Sequence, residues 1–401
     1  MSRRRVVVTG AGTINPLGLT VPDTIEAMRE GRCAIGPLDI RDVDRLSIEI
    51  GAQVRGFAAE DHFSRQQIAL YDRNVQFALL AAREAVAQSG ITFNGRLTER
   101  SGVVVGTSGG GLGTQDDNYR AVYEEGKNRV HPFTVPRLMN NAACSHLSME
   151  HGIRGPAFTV SSACASSNHA IGQALMLIRS GAADVALTGG TEAMLCFGGV
   201  KAWEGLRVLS PDGCRPFSAD RNGMVQGEGS AIFVLEERDH AVGRGAEILA
   251  EVRGFGMTAD ASDIVMPSRD GAVRAMRAAL SDADLAREAI GYVNAHGTGT
   301  AANDRIECSA ISEVLDPDVP ISSTKSMHGH LIGAAGAVEM LACLMALREG
   351  VLPPTVGYRA PDPDCPLDVV PNDAREVAVD AVLSNAFAFG GLNAVLALAR
   401  A

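Results

Sequence analysis

Aromatic residues are scarce in this chain: they make up 4% of its 401 residues, with a single tryptophan. A core built on stacked rings is therefore excluded, and the 44 glycines point instead to close backbone packing and tight turns. Paired cysteines are missing as well. The eight cysteines (33, 144, 164, 196, 214, 308, 343 and 365) form no CxxC unit, so neither a disulfide framework nor a compact zinc site is signalled. Positive charge is in deficit, with a net charge of −11, and the basic run Arg3-Arg4-Arg5 is too short to form a nucleic-acid arm. No segment reaches the length of a membrane-spanning helix, and Val6-Val7-Val8 is far shorter than the apolar part of a signal peptide. These absences argue against nucleic acid and membrane as partners and predict a cytoplasmic protein. No low-complexity linker divides the chain.

What is present is a repeated strand and glycine pattern in a chain that is 46% hydrophobic. RRRVVVTGAG reads as a buried strand running into a Gly turn, and Asp23 to Arg29 as a helix with an acidic first turn. Asp72 to Gln88 has helical apolar spacing, 101–113 is a strand emptying into a glycine-rich loop, and 183–194 repeats the strand-then-GG pattern. In the second half, 246–256 predicts an edge or crossover strand, 291–300 a strand ending in a polar Gly-rich loop, and 381–399 a closing strand-turn-strand. The Pro-rich stretch 351–366 reads as a surface loop. This recurrence suggests a layered α/β protein made of two related halves, 1–250 and 251–401.

In VSSACASSNHA a thiol stands where a strand meets a helix, with Ile171, Leu175 and Ile178 spaced along one face of that helix. The helix N-terminus favours thiolate, and the flanking Ala and Ser leave room for a substrate at Cys164. An isolated cysteine of this kind is more often a buried core residue. Two histidines change the balance: His296 in NAHGTGT follows a strand-like run, and His330 in SSTKSMHGHLIGAAG precedes a helix-like one. One cysteine and two histidines fit a zinc site, a cysteine hydrolase, or acyl transfer in which both imidazoles donate to a developing oxyanion or enolate. The spacings resemble no compact zinc-ligand pattern, and acyl transfer explains the second histidine where a hydrolase does not.

VSSACASSN, NAHGTGT, SSTKSMHGHLIGAAG and SNAFAFGGLN, in this order over essentially the whole chain, resemble the motifs of elongating β-ketoacyl-acyl-carrier-protein synthases, closest to the nodulation protein E-like branch. The resemblance implies the thiolase fold, five-layered α/β/α/β/α with two duplicated halves. It implies an acyltransferase that condenses malonyl carrier protein with a Cys-bound acyl chain, with loss of carbon dioxide. Cys164 becomes the nucleophile, and its N–H together with that of Phe389 the oxyanion hole. His296 and His330 become the decarboxylation pair, with Lys325 supported by Glu307. Thr298 and Thr300 would bond the phosphopantetheine arm, and Glu339 would help hold a structural monovalent cation. No other cofactor is implied. The partner is acyl carrier protein, and a homodimer is expected, with Phe133 of one chain closing the pocket of the other, or else a heterodimer.

Five departures from the family pattern stand out. Gly109 replaces a bulky aliphatic residue and should open the acyl tunnel, and Trp203 replaces a smaller aromatic. Together they predict a long, or rigid and polyunsaturated, acyl chain. Ala388 replaces a glycine and should restrict the gate loop around Phe389. Gln66 to Leu70 is uncharged where carrier-gripping basic residues are usual, leaving Arg65, Lys127, Arg129 and Arg207 as candidates. His328, beside His330, is at its simplest a tolerated surface change. A thiolase is disfavoured because SNAFAFGG carries no second cysteine, and an initiating synthase because His330 stands where that class has asparagine. A silent chain-length partner or scaffold is disfavoured because Cys164 is kept; an active subunit of a ketosynthase/chain-length-factor pair stays open.

Overall fold

The computed structural model describes residues 3–401. Ten strands form one sheet: β1 (Val6–Ile14), β2 (Ser101–Gly106), β3 (Ala157–Val160), β4 (Val185–Glu192), β5 (Gly229–Glu237), β6 (Ala250–Ala259), β7 (Ile290–Asn294), β8 (Ile321–Ser322), β9 (Ala381–Ala388) and β10 (Leu392–Ala399). Their spatial order is β8-β7-β9-β10-β6-β1-β5-β4-β2-β3. Each strand of the first five therefore has an equivalent five labels later. The directions match too: β2 is parallel to β3 and β4 while β5 is antiparallel to β4 and β1, and β7, β8, β9, β10 and β6 repeat the scheme. The two sets join where β1 pairs antiparallel with β6.

Six helices matter for the site: α1 (Arg73–Ser89), α2 (Ser166–Arg179), α3 (Phe197–Gly205), α4 (Arg269–Ala283), α5 (Ala301–Val314) and α6 (Ala335–Glu349). α1 covers one outer face, α4 and α5 the other, and α2 and α6 pack on each other between the two halves of the sheet. This is the five-layered arrangement expected. Glu339 apart, α6 is apolar on every side from Ala335 to Leu347 and buried over that span, as a helix in a central layer must be. On α2, Ile171, Leu175 and Ile178 are fully buried as their spacing predicts, each contributing about 1.5–3 kcal/mol of apolar burial.

Three expectations are corrected. β1 and β4 do not end at their glycines but run through them. In β1 the reason is close packing: a Cβ on Gly12 would lie 2.0 Å from Ala81 O on α1, and one on Gly256 in β6 would lie 2.1 Å from Ala275 O on α4. A glycine read as a turn signal is here a seat for a helix. The segment at 246–256, expected at an edge or crossover, supplies β6 at the centre of the sheet.

Candidate active site

Cys164 lies between β3 and the first turn of α2. The chain reaches it through Ala163, whose φ of +49° is rare for a residue with a side chain. Two hydrogen bonds hold that turn: Ser166 Oγ donates to Ala163 O at 2.7 Å and accepts from Ser162 N at 2.9 Å. The run of small residues thus builds a tight elbow that lifts the thiol into the cavity. Backbone N–H groups of Phe389 and of Cys164 itself face the sulfur and favour its anion, as does the Lys325 ammonium. Burial outweighs them and pushes the thiol up to about 12, so the thiolate expected from the helix terminus is not the resting form.

A cavity opens over the thiol and brings together Cys164, His296, His330, Thr298, Thr300, Trp203 and Phe389 from positions far apart in sequence. The reactive atoms of Cys164, His296 and His330 lie within 4.8 Å of one another, and the two imidazole rings are 5.4 Å apart, edge to face. His330 Nδ1 accepts the Ile332 N–H at 3.2 Å, so its proton sits on Nε2, a buried atom with no protein partner. Burial first, then the Lys325 charge, pushes both histidines well below their ordinary value. They are neutral N–H donors at physiological pH. The same geometry disfavours the zinc reading: a divalent ion here would meet the buried Lys325 ammonium, and His330 offers a proton where a ligand offers a lone pair.

Lys325 and its expected partner are re-sorted. Its Nζ bonds Glu339, not Glu307, and both side chains are buried. Glu339, expected beside a cation, spends its Oε1 on this ion pair. Glu307 serves His296 differently: its Oε1 accepts from His296 N and its Oε2 from Gly297 N, both at 2.7 Å, fixing the HGTGT loop, and Asn385 Nδ2 donates to the same carboxylate at 3.1 Å. Burial pushes Glu307 up to about 7. The Thr298 and Thr300 hydroxyls are 2.9 Å apart at the cavity wall.

Gly109 and Phe133 do not line this cavity. The room expected at Gly109 is taken, since a Cβ there would lie 2.9 Å from the Met194 side chain. Phe133 projects from the surface, 48% exposed. Trp203 on α3 stacks against Phe389. Ala388 does not stiffen a loop: it ends β9 opposite Leu392, and positive φ falls to Gly390 and Gly391. His328 is no surface change. It is fully buried, with Nδ1 2.7 Å from Gly329 O and Nε2 2.9 Å from Thr324 Oγ1. Sequence reasoning missed Asp304, whose Oδ1 accepts from Gly299 N at 3.2 Å and Oδ2 from Phe217 N at 2.9 Å. Its place one turn before Glu307 on α5 was the available signal. Val265, Met266 and Pro267, which form the cavity lip, carried none.

Residues 3–241 match the family model of the N-terminal domain of beta-ketoacyl synthase, and 249–359 that of its C-terminal domain. A nodulation protein E of Rhizobium sp. (strain N33) is 50% identical over 397 residues, 98% of each chain. A 3-oxoacyl-[acyl-carrier-protein] synthase 2 of Synechocystis sp. is 39% identical over 411 aligned residues, 100% of this chain and 99% of the relative. Among solved structures, the ishigamide ketosynthase/chain length factor superposes with a TM-score of 0.95 at 38% identity over 100% of both chains. No helix among the described residues is long and apolar enough to cross a membrane.

Proposed function

Because the chain belongs to the β-ketoacyl synthase family, as a condensing acyltransferase of the 3-oxoacyl-[acyl-carrier-protein] synthase 2 type, we propose the following division of labour for its residues. The convergence of Cys164, His296 and His330 within 4.8 Å carries the reading. Cys164 Sγ attacks the thioester carbonyl of an acyl carrier protein, and the N–H groups of Cys164 and Phe389 hold the oxyanion. The carrier C–S bond breaks, the acyl group stays on Cys164, and the thiol proton leaves on the carrier's phosphopantetheine sulfur. Malonyl carrier protein then enters beside Thr298 and Thr300. Its C–C bond to the carboxylate breaks, carbon dioxide leaves, and His296 and His330 donate to the enolate oxygen. The enolate carbon attacks the acyl-Cys164 carbonyl, and collapse expels the cysteine sulfur, which regains a proton. Neutral histidines suit this task, because an uncharged donor stabilises the enolate without protonating it.

The acyl chain is read as long, or rigid and polyunsaturated. Gly109 contributes no bulk of its own, and Met194, which fills the space, is an unbranched thioether able to rotate aside. The partner is an acyl carrier protein; Arg207 and Arg65 are candidate contacts, while Lys127 is paired to Glu125 at 2.6 Å. A dimer is favoured by the open edge of β3 and by the exposed apolar side chains of Phe158, Phe133 and Val135. The second copy is this same chain or, as in the ishigamide pair, a chain length factor.

A structural monovalent cation fits three buried oxygens with no protein partner on the side of the sheet facing α6: Glu339 Oε2, Asn294 Oδ1 and Ser384 Oγ. Asn294 and Ser384 are register-paired on β7 and β9. Such an ion would supply positive charge behind the site and take no part in bond making.

The test is intact-mass measurement of the purified protein after incubation with short, long, saturated and polyunsaturated acyl carrier proteins. An acyl adduct absent from Cys164→Ala and strongest with long or polyunsaturated chains is expected. No adduct with any carrier, while a mixture with a chain length factor gives one, would favour the heterodimer.

A further inference from the structure

One buried titratable side chain outside the residues assigned so far joins two segments behind the site, the loop after β2 and the turn after His330. Glu192 ends β4, is fully buried, and takes four donors. Its Oε1 accepts from Thr107 Oγ1 at 3.1 Å and Gly109 N at 3.0 Å, and its Oε2 from Ser108 N at 2.8 Å and Gly333 N at 3.0 Å. Three of these donors come from the loop after β2 and the fourth from the turn that follows His330. Burial pushes the carboxyl up to about 7, against the pull of the four donors towards its ionised form.

The turn it grips is strained. Ile332 is β-branched yet has φ +47°. That backbone aims the Ile332 N–H at His330 Nδ1 and the next N–H, that of Gly333, at Glu192. No side chain fits between: a Cβ on Gly333 would lie 2.5 Å from Ser108 N and 2.6 Å from Glu192 Oε2. Something has to hold a β-branched residue in the left-handed region, and the bond on its neighbour is the polar restraint at that point.

We propose that Glu192 is a positioning residue for the condensation: its carboxylate clamps the Gly333 turn to the 107–109 loop, so that Ile332 holds His330 with Nε2–H directed at the enolate. The inference rests on the assignment of His330 to malonyl decarboxylation. Glutamine keeps the volume of Glu192 but turns an NH₂ group towards backbone N–H donors, breaking the clamp on one side.

The purified full-length Glu192→Gln protein would be followed by two readouts: acyl transfer from acyl carrier protein to Cys164 by intact mass, and carbon dioxide release from malonyl carrier protein. Expected is a loss of about 100-fold in carbon dioxide release, the scale of a small misplacement of a catalytic group, with Cys164 acylation unchanged. His330→Ala should show the same split. Unchanged carbon dioxide release in Glu192→Gln, with loss in His330→Ala, sinks the clamp alone. Equal loss of both readouts in Glu192→Gln also overturns it, since a merely structural role would act on both. Normal release in His330→Ala removes the assignment on which the clamp depends. If Glu192→Gln fails to fold, Thr107→Val, which removes one donor from the same carboxylate at nearly constant volume, is read by the same criteria.

Discussion

Trp203 stacks on Phe389 with ring centroids 5.7 Å apart and planes 24° from parallel. The stack joins α3 to the loop carrying one of the two N–H groups that face Cys164, and an offset aromatic pair contributes about 0.5–1.5 kcal/mol beyond its burial. Trp203→Ala should therefore loosen the gate: Cys164 acylation by short and long chains should become more alike. Initial rates of adduct formation across a chain-length series test this, and an unchanged rank order of substrates would refute the latch.

Lys325 and Glu339 form a fully buried ion pair. Removing one partner leaves a charge uncompensated in a low-dielectric interior, at a cost of about 3–5 kcal/mol, whereas replacing both with apolar residues costs less. In urea unfolding, Lys325→Met should be much less stable than the wild type, and the Lys325→Met/Glu339→Met double variant should recover part of the loss. Strict additivity of the two single changes would contradict the pairing.

His328 is held to about 3 by burial and by the Lys325 charge. Its pKa is lowered on folding, so below about 6.5 the unfolded chain takes a proton that the folded chain refuses, and stability is lost as pH falls. His328→Thr removes this penalty. The variant, less stable at pH 8 for loss of two hydrogen bonds, should close the gap by up to about 1.4 kcal/mol per pH unit below that point. Parallel stability curves from pH 8 to pH 5 would show that the ring titrates freely.

Met194 occupies the space that Gly109 leaves beside it. Met194→Ala should raise acylation by long chains, and Gly109→Ile, which forces Met194 aside and adds bulk, should abolish it while sparing short chains. The intact-mass panel reads both, and identical chain profiles in the two variants would remove this contact from chain selection.

That Cys164, His296, His330 and Lys325 belong to one buried cluster was legible because each lies in a short stretch whose local chemistry is unusual: a thiol among small residues, or an imidazole in a Gly and Thr loop. Partnerships were not. Glu307 was expected beside Lys325, yet it turns to the backbone of His296 and Gly297, and Glu339 from the central helix α6 meets the lysine. Separation along the chain says little about which of two buried carboxylates faces an ammonium. Met194 shows the same limit, since the absence of a side chain at Gly109 says nothing about which neighbour moves into the space.

The sequence by itself determined the strand and helix types, the duplicated order of elements and which residues are candidates for the site, because periodicity, small-residue runs and loop chemistry are local properties. Tertiary structure alone decided that β1 and β4 run through their glycines, that β6 lies at the centre of the sheet, and that Glu192 ties the 107–109 loop to the turn after His330. These are contacts between segments remote in sequence. They are fixed by which helix packs on which strand and by the requirement that each buried N–H find an acceptor, conditions that exist only after the layers have closed.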